Sequence, residues 1–426
     1  MKKRCLAFVL LLCLFALPAH ATKTKEVLTF YGWGGAEITA ATGAGLDGFA
    51  AAQRQRVLPY PRSFPTREEY AAWLTEQFAS GWPGDVVEMD AEMLRTLAKD
   101  AQGNLRLQDL EVYRRLVALK QFSYLGLAGC TVDGQLSAVP VSMSAHGFFW
   151  NTTALTARGF GVPANIADLR LLTAVILPEA DRYALAADAQ SRMALLITFL
   201  QSKYGQPWLD TKGLSVSFSP DQVAEGLTYL ANLEQMRILP KLAEQGDITE
   251  GWRQGKYLGV WAWNDRLDFL QSALPADADG KPAAISVSTI LEDWGAFGGG
   301  FQRVSRMLAI PKTASAPETG AKLLEYLLNS KRGARSLLAT RGIPDSAAAL
   351  AACKTGKRID PAAIDRHQAV LIASRYLMPL GFDAPALANS GGVYEEILLG
   401  ISDGTLTPEA AAKQLTDEIA KVLAQP

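Results

Sequence analysis

Glu88 and Asp90 stand two residues apart in the short apolar run Asp85-Val86-Val87-Glu88-Met89-Asp90. On a strand, residues i and i+2 share one face, so both carboxylates can meet one ligand. Paired acids suffice for glycoside hydrolysis, and they also accept hydrogen bonds from sugar hydroxyls with no bond breaking. Glu292 with Asp293 is a second pair. A secreted glycan hydrolase using Glu88, Asp90 or Glu292 is the enzymatic reading these residues allow. Other catalytic patterns are weaker. There is no G-x-S-x-G elbow. Ser144 and His146 are close in sequence, which is not triad geometry by itself, and His367 falls in a helical stretch. Gly43, Gly45 and Gly48 match a dinucleotide-binding spacing, but no strand runs directly into them. They read as a flexible loop and helix start. No His/carboxylate cluster has metal-ligand spacing, so no cofactor is expected.

A stronger signal is aromatic residues beside glycines. Trp33 precedes Gly34-Gly35, and Trp82 precedes Pro83-Gly84. Trp261 and Trp263 flank Ala262 and share a strand face. Trp294 and Phe297 run into Gly298-Gly299-Gly300. Core packing explains any one of them. Indoles at strand ends, next to exposed backbone N–H groups, are also how a cleft grips a sugar: the ring face stacks and polar neighbours take the hydroxyls.

Regular elements must position these groups. Val27–Tyr31 reads as a buried first strand. Tyr70, Trp73, Leu74 and Phe78 at helical spacing predict a helix over 68–78, ended by Gly81 and Pro83. A strand over 85–90 and a helix over 92–98 follow. Strand, helix, strand, helix predicts a mostly parallel α/β sheet covered by helices. Residues 136–141 and 146–150 read as strands around a polar turn, Ser142-Met143-Ser144. Helical segments are expected over 193–200 and 222–236, a buried strand over 257–263 and a turn over 278–282. Helices over 321–329 and 331–340 follow, and a last helix opens with Thr407 as cap and Pro408 at its first position.

Lys2, Lys3 and Arg4, the apolar run 6–17 and Ala19-His20-Ala21 form a secretion signal, 1–21, cut after Ala21. The mature protein is expected outside the cytoplasm, in the periplasm. The chain carries 42 Lys+Arg against 43 Asp+Glu. Without the three basic residues of the signal the balance is 39 to 43, which argues against a nucleic-acid partner. The densest basic run, Lys331, Arg332, Arg335 and Arg341, reads as a solvated helix face. Cys130 and Cys353 remain after processing; they permit one disulfide in an oxidising compartment, or stand as two buried free thiols.

Taken in order, these pieces resemble the extracellular solute-binding proteins of ABC importers, in the sugar-binding group that includes maltose-binding protein. The pieces are Leu28 to Gly35, Phe78-Ala79-Ser80-Gly81 through Asp90, Val139-Pro140-Val141 leading to Phe149-Trp150-Asn151, Trp261-Ala262-Trp263, Ala309-Ile310-Pro311-Lys312, Gly342-Ile343-Pro344, and Tyr394 through Gly400 to Thr407-Pro408-Glu409. The likeness covers nearly the whole mature chain.

The resemblance implies two α/β lobes joined by several hinge crossovers, with ligand trapped between them by hinge closure. One lobe is expected to take residues 22–138 and 300–344, the other 139–299 and 345–426. By position, Trp261 matches a sugar-stacking tryptophan, Trp150 a cleft aromatic and Asp90 an acid bonding sugar hydroxyls. Phe148 stands where maltose-binding protein has an acidic contact, which departs from a maltose site. Trp33, Gly34, Gly35, Glu88, Ser142, Ser144, Trp263, Asn264, Trp294, Phe297 and Tyr394 complete the expected ligand-binding set. The expectation is a non-catalytic, monomeric receptor that hands a carbohydrate or polyol to an ABC permease. The alternative ligand is an anionic solute such as a phosphorylated polyol.

Overall fold

In the computed structural model, residues 25–424 are described apart from 180, 211–214, 276–282, 290, 338–339, 357–360 and 380. The expected secretion signal and the 278–282 turn lie outside the described residues. The described residues form eleven strands: β1 (Glu26–Trp33), β2 (Val57–Phe64), β3 (Val86–Met89), β4 (Thr131–Val132), β5 (Gln135–Leu136), β6 (Ala138–Asn151), β7 (Tyr183–Ala186), β8 (Tyr257–Trp263), β9 (Ile285–Ser288), β10 (Gly300–Ala309) and β11 (Ser374–Leu377). β4 and β5 form a separate hairpin. The other nine make one sheet in the order β2-β1-β3-β10-β6-β8-β7, with β11 beside β10 and β9 beside β6.

The sheet is mixed, not mostly parallel. β1 pairs parallel with β2 and β3, β10 with β11, and β7 with β8. β10 runs antiparallel to β3 and β6, and β6 to β8 and β9. The cause is the length of β6 and β10. The Ser142-Met143-Ser144 segment, expected as a turn, is the middle of a single 14-residue strand buried along its whole length. Its first half pairs with β10 and its second half with β8 and β9.

Two large hydrophobic cores sit on the two halves of this ribbon. The first gathers Leu28, Phe49, Tyr70, Val86, Leu110 and Val139 to Met143, then Val304 to Leu337. The second gathers Phe148, Trp150, Leu172, Leu196, Trp261, Trp294 and Phe301, then Met378 to Val422. Within β6 the chain leaves the first core after Met143 and enters the second at Phe148; within β10 it crosses back between Phe301 and Val304. This is the two-lobe α/β architecture with the chain crossing between lobes more than once.

Local chemistry fixes the elements around the crossing. Helix α1 (Ala36–Ala52) follows β1; Gly43, Gly45 and Gly48 lie inside it, not in a loop. Gly45 and Gly48 let the 317–337 helices approach, since a methyl at either would meet Leu327 or Tyr326. Helix α2 (Arg67–Ser80) starts on the Thr66 side chain and ends at Gly81, which takes φ +90. Helix α3 (Ala91–Leu97) is capped by Asp90, whose Oδ1 accepts from Met93 N at 2.9 Å. Asp85, also buried, accepts from Thr29 N and Oγ1 and from Ser315 N and Oγ, tying β1 to the segment after β10. Burial opposes that charge, but these donors hold the carboxyl below its usual range.

Cys130 and Cys353 are both free and fully buried. Cys130 belongs to the first core and Cys353 packs with Ile364 in a small separate cluster. Of the two sequence alternatives, the structure has the free thiols. Burial raises both, Cys353 to about 11.

Candidate functional site

A cleft of about 650 Å³ opens between the two cores. Its first wall comes from the carboxyl ends of β1 and β3, where Trp33 ends one strand and Asp90 follows the other. Ligand sites of α/β sheets form outside such strand ends. Arg67 and Glu68 of α2 complete that wall, and Gln190, Asp265, Asp383 and Asn389 come from the second core's side. Ser142 of β6 and Arg303, Ser305 and Arg306 of β10 form the floor, with Thr340, Arg341 and Gly342 at one end. A larger groove of about 1270 Å³ lies beyond the other end of α3, between Arg95, Arg106, Trp208 and Leu377. Val132 and Leu377 end β4 and β11 in its walls, but the carboxyl ends of β1 and β3 do not reach it.

Register explains why two arginines of β10 reach one floor. Arg303 pairs with Ser144 and Arg306 with Ser142, although three positions separate the arginines and two separate the serines. The pairing slips at Ser305, and this bulge returns Arg306 to the face of Arg303. Regular alternation would have sent it to the opposite face.

The side chains interlock as charge pairs. Arg67 Nε donates to Asp90 Oδ2 at 2.5 Å. Arg303 Nη1 donates to Asp383 Oδ2 at 2.8 Å, its Nη2 stands 3.7 Å from Asp265, and its Nε donates to Ser144 Oγ at 3.2 Å. Burial opposes the Arg303 charge, but Asp383 and Asp265 hold its pKa above the usual arginine value. Gln190 also donates to Asp383. Arg306 Nη1 donates to Glu88 Oε1 at 2.7 Å and to Trp33 O at 3.0 Å. Arg341 Nε donates to the same Glu88 oxygen at 2.9 Å, and its Nη2 to Thr42 Oγ1 at 2.7 Å. Guanidinium planes cover two indoles: Arg306 over Trp33 at 4.2 Å and Arg303 over Trp263 at 3.8 Å.

The structure divides the expected site residues. Trp33, Asp90 and Ser142 line the cleft, and Ser144 lies directly beneath it on Arg303. Glu88 is fully buried and acts behind the floor as the anchor of two arginines. Gly34 and Gly35 lead from β1 into α1 and do not line the cleft. The expected stacking platforms lie elsewhere. Trp150, Trp261, Trp294 and Tyr394 are at most 3% exposed in the second core, where Trp261 packs on Phe148 and Trp294. Trp150 Nε1 donates to Ser288 and Trp294 Nε1 to Tyr229. Trp263 is buried under Arg303, and Asn264 serves the backbone, accepting from Ala145 N. Phe297 is 47% exposed and away from the cleft lining. An indole that fills a large apolar core and one that stacks on a sugar read alike in sequence.

His146, expected to open a strand beside a polar turn, is buried in β6 with its ring 3.8 Å from that of Trp263. Burial first, then the nearby Arg303, pushes its pKa well below the usual value, so the imidazole is neutral at pH 7. Arg341, expected on a solvated face, is buried against Glu88, while Lys331, Arg332 and Arg335 are exposed. Arg67, Gln190, Asp265, Arg303, Arg306 and Asp383 are cleft residues that the sequence reading missed. The signal available was Arg303 and Arg306, the two charges of a largely buried strand, since buried charge is the informative exception.

Gly32 belongs to the same apparatus. A methyl there would lie 2.4 Å from Glu88 Oε2. The carboxylate would then have to leave the position that serves Arg306 and Arg341. Gly32→Ala is expected to cost about 1–3 kcal/mol of stability by chemical denaturation. A loss under about 0.5 kcal/mol, the ordinary surface range, would show that Glu88 is not held tightly there.

Comparison with known proteins agrees with this architecture. No curated protein matches the chain. A de novo designed cysteine esterase superimposes with a TM-score of 0.83 at 22% identity, covering 94% of this chain and 98% of that one. A periplasmic oligogalacturonide binding protein from Yersinia enterocolitica, in complex with saturated digalacturonic acid, gives 0.75 at 23%, covering 94% and 99%. The GacH receptor of Streptomyces glaucescens, solved unliganded and with acarbose, gives 0.70 at 16%, covering 94% and 99%. At such identities these likenesses establish the fold. Residues 63–406 match the family described as bacterial extracellular solute-binding protein. That match spans most of the chain, which therefore belongs to the bacterial extracellular solute-binding protein family.

Proposed function

We propose that the protein is a non-catalytic periplasmic receptor that binds a carbohydrate or polyol in the cleft between its lobes and delivers it to an ABC permease. The observation that carries this reading is the convergence of charged and amide side chains from both lobes on one cleft at strand carboxyl ends. Hydroxyl-rich solutes need donors and acceptors in quantity, and ionised partners make hydrogen bonds about twice as strong as neutral ones. Asp90, Asp265 and Asp383 supply acceptors; Arg67, Arg303, Gln190 and Asn389 supply donors. The Yersinia enterocolitica and Streptomyces glaucescens proteins, which share the fold, were solved with saturated digalacturonic acid and with acarbose, and this supports the same ligand class here.

In this reading Trp33, Asp90 and Ser142 contact ligand. Residues 22–138 with 300–344 form one lobe and 139–299 with 345–426 the other, and β6 and β10 bend at their midpoints as the lobes close. The two cores meet on these strands, so a hinge there leaves both intact.

The test is a thermal-shift screen of saccharides and polyols, followed by calorimetry on the hits and recovery of the sugar after long incubation. A hit is expected to return chemically unchanged. Its affinity is expected to fall about 10–100-fold in Asp383→Asn, the span of a lost hydrogen bond to a charged group. A screen with no stabilising saccharide or polyol, or a sugar recovered cleaved, would contradict the proposal.

A further inference from the structure

The charges of the cleft are paired unevenly. Two guanidinium groups, Arg306 and Arg341, share one oxygen of Glu88. Glu88 is fully buried, and the side chains of Arg341 and Arg306 are 3% and 17% exposed. This end of the floor therefore holds one surplus positive charge in a place where water screens it poorly. Arg341 Nη1 is sealed from solvent and has no hydrogen-bond partner among the described residues. Glu88 Oε2 is also without one, and it lies against Gly32. Elsewhere the chain pairs a buried guanidinium one to one, as with Arg192 and Glu234.

The other end of the floor has the opposite imbalance. Arg303 faces two carboxylates, Asp383 and Asp265. Between them the pairs are even: Arg67 with Asp90, and Arg95 with Glu92. Glu68 is exposed at the rim. The cleft thus presents a positive end at Arg306 and Arg341 and an acceptor-rich end at Asp265 and Asp383.

We propose that the solute is a sugar acid whose carboxylate lies against Arg306 and Arg341, while its hydroxyls donate to Asp265 and Asp383. This rests on the carbohydrate reading above and narrows it. A carboxylate is the matching charge: it carries one negative unit, equal to the surplus. A phosphate monoester carries about −1.5 to −2 at neutral pH and would overshoot it. The planar guanidinium fork of Arg306 also suits a carboxylate's two oxygens. Among the described residues the hydrogen bonds of Arg306 run from Nη1 alone, which leaves the rest of the fork to a ligand.

The experiment is calorimetry on the full mature chain with matched ligands: galacturonate, digalacturonate, glucuronate and gluconate, their neutral parent sugars and polyols, and the corresponding 6-phosphates. At least one acid is expected to bind tenfold or more tightly than its neutral parent and than its phosphate. Arg306→Gln is expected to remove that preference, lowering affinity for the acid at least tenfold more than affinity for its neutral parent. Should Arg306→Gln unfold, the wild-type comparison still decides. Neutral sugars binding as well as or better than the acids, a preference for phosphates, or an acid preference that survives in folded Arg306→Gln would each overturn the proposal and leave the carbohydrate reading standing. Binding of no member of the set would overturn both.

Discussion

Glu88→Ala will destabilise the protein by about 3–5 kcal/mol, the cost of removing one partner from a buried ion pair. The carboxylate is fully buried, and one of its oxygens serves both Arg306 Nη1 and Arg341 Nε. Without it, two guanidinium groups face each other in a poorly screened site. The backbone around Glu88 is also committed: its carbonyl accepts from Tyr70 Oη at 2.8 Å, and Tyr70 Oη also lies 3.1 Å from Tyr31 O. Burial raises the Tyr70 phenol pKa well above its usual value, so that donor stays protonated throughout the physiological range. Equilibrium unfolding in guanidinium chloride measures the effect. Glu88→Gln, which keeps the shape and removes the charge, is expected to lose most of the same stability. A loss below about 1 kcal/mol in both variants, no more than an exposed pair is worth, would show that the arginines do not depend on Glu88.

The second large effect is expected in the other lobe. Arg192 lies in the first turn of the helix Ala189–Tyr204 with its side chain 2% exposed. It pairs with Glu234 and donates to Ala187 O at 2.9 Å, Pro240 O at 2.8 Å and Gln245 Oε1 at 3.0 Å. Arg192→Ala leaves a nearly buried carboxylate and two carbonyls without their donor, a loss again expected at about 3–5 kcal/mol. The double variant Arg192→Met with Glu234→Leu removes both charges and keeps much of the volume. It is expected to be more stable than Arg192→Ala alone, because the unpaired charge is what costs most. A double variant less stable than the single one would assign the effect to packing.

Much of the fold was legible because period and punctuation were both present. The strand Tyr257–Trp263 and the Thr407-Pro408 start of the last helix stand where pattern and capping placed them. The long strands were not legible. Ser142 and Ser144 are turn-formers in isolation, but in β6 their hydroxyls are absorbed by Arg341 O and Arg303 Nε, so the strand runs through. The α1 glycines looked like a loop because local propensity says nothing of the helices pressed against them.

The site was legible only at strand ends. Trp33 ends β1 and Asp90 follows β3, so the strands read from the sequence carry both to the cleft lining. The tryptophans of β6 and β8 were misread for the reason that made them visible: large aromatics serve a core as well as a cleft, and these fill the core. The arginines escaped notice because their convergence depends on a bulge at Ser305 and on Arg341 returning from 35 residues further along the chain. Neither is written in local spacing.

The central claim is that a hydroxyl-bearing solute occupies the cleft between the lobes. The most direct measurement is a crystal structure of the protein with the best ligand from the calorimetric set. Density is expected between Trp33, Asp90, Arg303, Arg306 and Asp383. Ligand seated in the larger groove between Arg106 and Trp208, with the cleft left to solvent, would contradict the account.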